Sequence, residues 1–176
     1  MLIVLHHLAF YGPMSDVALP LAPLLIGWLY DYGRMAVQVF LVVSGFLAAS
    51  SLAPGGDAVF DKPLQQILRR YARLAMPYLL ALTLSVAVAA LVRPWFDHVS
   101  VPNEPGLLQL LAHVLLLQGL LGQESLSAGV WYVAIDFQLF ALTVLGLTLA
   151  RRLQSRTAQR APWGMLLVGC MALASL

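Results

Sequence analysis

Residues 35–56 read MAVQVFLVVSGFLAASSLAPGG and contain no Asp, Glu, Lys or Arg. An α-helix rises about 1.5 Å per residue, so about 20 uncharged residues cross a hydrocarbon core about 30 Å thick. The closing Pro54-Gly55-Gly56 supplies the residue types that stop a helix. This stretch therefore reads as a membrane-crossing helix, and its neighbours follow. Leu74 to Val92 is another uncharged run, and Val130 to Ala150 is a third with Asp136 as its one charged residue. The chain of 176 residues is 61% hydrophobic and only 10% charged, whereas soluble domains carry about 25% charged residues. So few charges cannot clothe a water-exposed surface, and the mean hydropathy of +0.85 agrees. The expected fold is all-α: a polytopic transmembrane helix bundle of about five to six apolar segments, with the lipid bilayer as its first partner.

The other segments are less regular. Met1 to Tyr11 is apolar but interrupted by His6 and His7, and it is too short to span alone, so it reads as the outer half of a first helix. Gly12 to Gly33 holds Pro13, Pro20, Pro23, Asp16 and Asp31, a loop composition with a short interfacial segment expected around Leu24 to Tyr30. Pro105 to Gly122 is apolar apart from Gln109, His113 and Gln118. The last run, Ala161 to Leu176, is shorter than a span. Met1 is followed directly by Leu-Ile-Val-Leu, with no basic region of the kind that opens a cleaved signal peptide. Both ends look cut.

Charge placement sets an expected topology. The net charge of +2 comes from nine Arg and one Lys against eight acids, and the cations concentrate in Lys62 to Arg73 and Arg151 to Arg160. Clusters flanking apolar runs are cytoplasmic anchors by the positive-inside rule, and they do not describe a nucleic-acid surface. Between two cytoplasmic loops the chain crosses an even number of times. Three apolar segments lie there, so one does not span, and Pro105 to Gly122 is the weakest: re-entrant or laid along the outer interface. The single Cys170 can form no internal disulfide and is given no role.

Ionisable residues inside apolar segments are costly and so become candidates for function: His6, His7, His113 and Asp136. A neutral His can take a proton from an alcohol, which suits it as general base in acyl transfer. His6 and His7 stand about 100° apart around a helix, so one faces the bundle and the other its edge, and the residues alone do not choose. The alternative for each is a hydrogen bond that ties neighbouring helices, and for Asp136 an Arg partner. Ser44-Gly45-Phe46 lacks the Gly-x-Ser-x-Gly elbow of a serine nucleophile and reads as a small-residue packing face. Arg69-Arg70-x-x-Arg73 is a topology anchor or, functionally, a receiver of anionic phosphates at the cytoplasmic face. No His or Cys cluster has metal-ligand spacing.

Four strings in order resemble the acyltransferase 3 family of bacterial membrane proteins. Leu2-Ile3-Val4-Leu5-His6-His7 is similar to the family's first helix, where an Arg precedes an essential His, and His7 falls at that His. Phe40-Leu41-Val42-Val43-Ser44-Gly45-Phe46 resembles the second-helix signature ending in Ser-Gly-Phe. Arg69 to Tyr78, RRYARLAMPY, is similar to the family's basic segment, in which paired basic residues precede an Arg and a Pro-Tyr-like helix start. Trp131 to Phe140, WYVAIDFQLF, resembles a Trp-x-x-x-x-Glu-x-Gln-x-Tyr helix, with Asp136 at the Glu and Phe140 at the Tyr. Two features depart from the family: its upstream Arg would precede Met1, and its later helices have no counterpart, so residues 1–176 look like a partial acyltransferase 3 membrane domain.

The resemblance implies a multi-pass protein of the cell inner membrane that transfers an acyl group, often acetyl, from acyl-CoA to a hydroxyl of a glycan or other acceptor. No bound cofactor and no metal are implied; acyl-CoA is the donor substrate. His7 is then the catalytic acid/base, Asp136 orients His7 or pairs with an Arg, and Arg69, Arg70 and Arg73 meet the donor phosphates. A rival reading is a transporter or channel fragment with an intramembrane His/Asp pathway, which the absence of repeated halves disfavours. A third is a truncated product without activity of its own.

Overall fold

The charge-free run after Arg34 forms a helix, α4 (Met35–Leu52), and of the two longer apolar helices, α5 (Pro63–Val92) and α7 (Val130–Arg156), α7 packs against both α4 and α5. The computed structural model describes residues 1–10, 14–96 and 101–156. Short helices complete it: α1 (Leu2–Phe10), α2 (Met14–Ala18), α3 (Pro23–Tyr32) and α6 (Leu107–Val114). No strand occurs among the described residues. Three helical stretches are long and apolar enough to cross a membrane: Pro23–Leu52, Pro63–Val92 and Val130–Ser155. Of the expected five to six apolar segments, α1 and α6 are too short to span, and the run from Ala161 lies outside the described residues.

One segment differs from its sequence reading. Residues 23–32, which include the short segment expected around Leu24 to Tyr30, are helical rather than loop, because Pro23 stands at the first helical turn, where its fixed φ and missing N–H cost nothing. Gly33 (φ −59°, ψ −30°) and Arg34 (φ −64°, ψ −21°) stay near helical geometry, so α3 passes almost directly into α4. Gly33 is required there for contact: a Cβ on it would stand 2.6 Å from the His6 Cβ of α1. The buried His6 donates from Nδ1 to the Leu29 carbonyl at 2.8 Å, and Phe10 stacks on Tyr30 at 4.9 Å between centroids. His6 is thereby the helix-tying histidine of the pair.

Helix α5 begins with Pro63 and runs through Pro77, whose ring nitrogen cannot bond the Arg73 carbonyl. Membrane helices tolerate such an interior proline. Leu52, Phe60, Val144 and Leu147 form one apolar cluster where α4 ends, α5 is about to begin and α7 closes. At the same end Arg151 donates to the Phe60 carbonyl at 2.6 Å. Lys62, just before α5, and Arg151 and Arg152, near the end of α7, therefore lie at one end of the bundle, the end for which the positive-inside rule sets the expectation of a cytoplasmic face. Between them, among the described residues, α5 and α7 are the two helices long and apolar enough to span.

The segment between these two crossings folds back into the bundle. Helix α6, about 12 Å long at 1.5 Å per residue, closes in a Schellman turn: Leu117 N–H bonds the Ala112 carbonyl at 2.8 Å, with Leu116 left-handed at φ 57°. Glycine usually takes that position, and a leucine there costs on the order of 1–2 kcal/mol. Leu116 is completely buried with Tyr78, Leu82, Leu126, Val130 and Ala134, and this burial offsets the strain. Irregular backbone inside a bundle needs polar partners. Tyr71 Oη donates to the Val114 carbonyl at 2.7 Å, Gln138 Nε2 to Leu116 at 2.7 Å and Gln118 Nε2 to Val130 at 3.2 Å. Residues 107–122 are thus a non-spanning element fastened to α5 and α7.

Candidate active site

Asp136 sits on the seventh residue of α7, fifteen residues or about 22 Å before Arg151, and therefore deep in the apolar length of that helix. A carboxylate there requires partners. Arg70 Nη2, from the first third of α5, donates to Asp136 Oδ2 at 2.7 Å and to Ser44 Oγ at 2.9 Å. The Ser44 hydroxyl, halfway along α4, donates in turn to Asp136 Oδ1. Phe140, one turn beyond Asp136, lies beneath the guanidinium with 5.2 Å from Cζ to its ring centroid. Arg70 Nε is buried without an acceptor among the described residues.

This knot joins three helices through residues far apart in sequence, and it changes the meaning of Ser44. Its position beside Gly45 suggested packing, but its hydroxyl both donates to the carboxylate and accepts from the guanidinium. The basic triplet is also divided. Arg69 and Arg73, one turn apart on α5, are exposed and form no ion pair among the described residues, whereas Arg70 lies about 100° around the helix and turns inward.

His7 follows His6 by about 100° around α1, its ring centroid 5.7 Å from that of His6, and both histidines border the same cavity. His7 is part-buried and lines this cavity of about 190 Å³ with Arg34, Phe10, Gly129 and Trp131. A second cavity of about 330 Å³ has Ser44 and Asp136 in its wall, together with Phe40, Leu41 and Leu74. Ile3, Val37 and Tyr132 line both. Ile3 is one turn before His7 on the same face of α1, so the two cavities are neighbours along that helix. The structure thus brings Asp136 to Arg70, and His7 to the adjoining space.

His113 is removed from the candidates. It is 0% exposed, its Nδ1 donates to the Gln109 carbonyl at 2.8 Å, and its Nε2 accepts the Leu126 N–H at 3.2 Å. Both ring nitrogens are used, in the neutral Nδ1–H tautomer, to brace the folded-back segment. Among the described residues no group of three or more His, Cys, Asp or Glu is placed to hold a metal ion.

A bundle of apolar spanning helices with an ion-paired polar centre between them defines an integral membrane protein. The comparisons specify its kind: a family profile described as "Acyltransferase domain" matches residues 1–176, and the chain belongs to the acyltransferase 3 family. No curated protein and no solved structure matches the chain. The four strings that carried the resemblance converge in space: Ser44, Arg70 and Asp136 share one knot, and the His7 helix borders it. Sequence reasoning did not assign Gln138 and Tyr71, which hold carbonyls of the folded-back segment; their signal was their presence inside two of those strings.

Proposed function

We propose that this protein transfers an acyl group, often acetyl, from acyl-CoA to a hydroxyl of a glycan or similar acceptor at the cell inner membrane, with His7 as acid/base. The observation that carries the reading is the placement of His7 at a cavity that adjoins the Ser44–Arg70–Asp136 knot, within a chain of the acyltransferase 3 family. His7 takes the proton as the acceptor oxygen attacks the thioester carbonyl. The new C–O bond forms, the C–S bond breaks, and His7 returns the proton to the departing thiolate.

The arginines divide the remaining work. Arg69 and Arg73 offer exposed guanidiniums one turn apart, suited to the phosphates of the donor. Arg70 is committed to Asp136 but keeps one buried N–H to offer. Asp136 acts as the counter-ion that fixes Arg70 and, through Ser44, the spacing of α4, α5 and α7. This arrangement favours the second of the two roles open to Asp136, pairing with an Arg. The test is replacement of His7 by Ala, read as label moved from radioactive acetyl-CoA into base-labile ester. Transfer should fall by about a hundredfold or more, the usual contribution of a general base, with the protein still inserted and monodisperse. Unchanged transfer removes His7 from the mechanism.

A further inference from the structure

The end of the bundle opposite the basic clusters carries a groove of about 760 Å³ between the last turns of α5, residues 101–102, and the loop that leads into α7. Its walls combine the aliphatic side chains of Leu84 and Val88 with the hydroxyls of Ser85, Ser125 and Ser127, the Glu124 carboxylate and the indole of Trp131. A concave, mainly apolar surface with a few convergent polar groups is the usual build of a small-molecule site, and this volume lies in the usual range. The loop wall is held in place: Gln109 Nε2 donates to the Glu124 carbonyl at 2.9 Å, and Ser85 Oγ donates to Ser127 Oγ at 3.3 Å.

Trp131 and Ala128 line this groove and also the His7 cavity. A ligand in the groove is therefore separated from the His7 space by one indole and one methyl group. The chemistry of the walls restricts the ligand. Among the described residues Glu124 is the one charged side chain of the lining, and its carboxylate repels phosphate and carboxylate groups while accepting strong hydrogen bonds from hydroxyls. The half-exposed Trp131 offers a flat apolar face and a single N–H donor, and serine hydroxyls both donate and accept. A neutral, hydroxyl-rich molecule with an apolar face satisfies all of these at once; an anionic lipid headgroup does not.

We infer that this outer groove is the acceptor subsite, and that Glu124 and Trp131 position a neutral polyhydroxylated acceptor so that one hydroxyl reaches His7 past Ala128. The inference rests on the acyltransferase reading above. It separates two approaches: the donor from the basic end, the acceptor from the opposite end. Glu124 and Trp131 are thus determinants of which hydroxyl is presented, not members of the proton-transfer machinery.

The test uses cells expressing the protein, with base-labile acyl groups measured separately on envelope saccharide and on extracted lipid. Glu124→Gln keeps the shape of the side chain and weakens its charge-assisted bonds; Trp131→Ala removes the platform and Trp131→Tyr retains most of it. Saccharide acylation should fall about tenfold in Glu124→Gln, the loss expected for one charge-assisted hydrogen bond, and further in Trp131→Ala, with Trp131→Tyr restoring part. Binding of radioactive acetyl-CoA to the membranes should be unchanged, which a general loss of folding would not leave intact. Saccharide acylation that survives both Glu124→Gln and Trp131→Ala overturns the groove assignment alone. Acyl groups found on lipid and not on saccharide overturn the acceptor class. No acyl transfer by the unaltered protein overturns the acyltransferase reading, and the groove assignment with it.

Discussion

Consider the double-mutant cycle of Arg70→Met and Asp136→Asn. Each single change leaves an unmatched partner inside the bundle: a guanidinium facing a neutral amide, or a carboxylate held only by the Ser44 hydroxyl. Removing one member of a fully buried pair costs about 3–5 kcal/mol. Here the side chains keep 28% and 15% of their exposure, so solvent screens part of the charge and about 2–3 kcal/mol is the better expectation for each single variant. The double variant has no uncompensated charge, and its loss should be smaller than the sum of the two by about 2 kcal/mol. For a chain of this size each kcal/mol shifts the midpoint of thermal unfolding by roughly 2–4 °C. Each single variant should therefore melt about 4–12 °C lower, and the double variant should stand well above the additive value. The measurement is the fraction of detergent-solubilised protein that remains monodisperse after heating. Strict additivity of the two losses refutes the argument, because it means that the two charges do not interact in the protein.

Other expectations follow from single contacts. Gly33→Ala should lower the midpoint by several degrees, since the new Cβ meets both the His6 Cβ and the Leu29 carbonyl at 2.6 Å and α1 must move away; the same heating experiment reads it. His113→Phe keeps roughly the ring volume but strands the Leu126 N–H and removes the side-chain bond on the Gln109 carbonyl, a loss of about 1–3 kcal/mol in stability with acetyl-CoA binding to the folded fraction preserved. Tags at Pro102 and Gln123, which bracket α6, should be reached by an impermeant reagent from the same side of the membrane; labelling from opposite sides contradicts the folded-back arrangement of residues 107–122.

The bundle was legible where a single physical signal dominates. The charge-free lengths of 35–52 and 74–92 placed α4 and the membrane part of α5, and the basic residues Lys62 and Arg151 marked one shared end of the bundle before any geometry was known. The parity of crossings picked out residues 105–122 as the element that does not span. Elsewhere the deciding partners lie far along the chain. Pro23 looked like a breaker because the same residue that ends a helix also suits its first turn. Leu116 in a left-handed conformation has no local mark; it is tolerated because the core around it forms from α5 and α7. The same holds for the polar residues. Spacing placed His6 and His7 about 100° apart without saying which ties a neighbouring helix, and that was decided by the Leu29 carbonyl, 23 residues away, which His6 bonds. His113 could be a base or a brace until the Leu126 amide was seen to occupy its second nitrogen. Asp136 announced its need for an Arg, but which of the three basic residues answers depends on how α5 is rotated, and Ser44 gave no sign of joining them.

The central claim is that this arrangement serves acyl transfer, and the most direct measurement is transfer itself. Membrane vesicles carrying the protein, supplied with radioactive acetyl-CoA on the face that bears Arg151 and Arg152, should accumulate base-labile label on hydroxyl-bearing saccharide, at a rate that collapses in His7→Ala. Consumption of acetyl-CoA no faster than in vesicles lacking the protein, with no ester formed, contradicts the account.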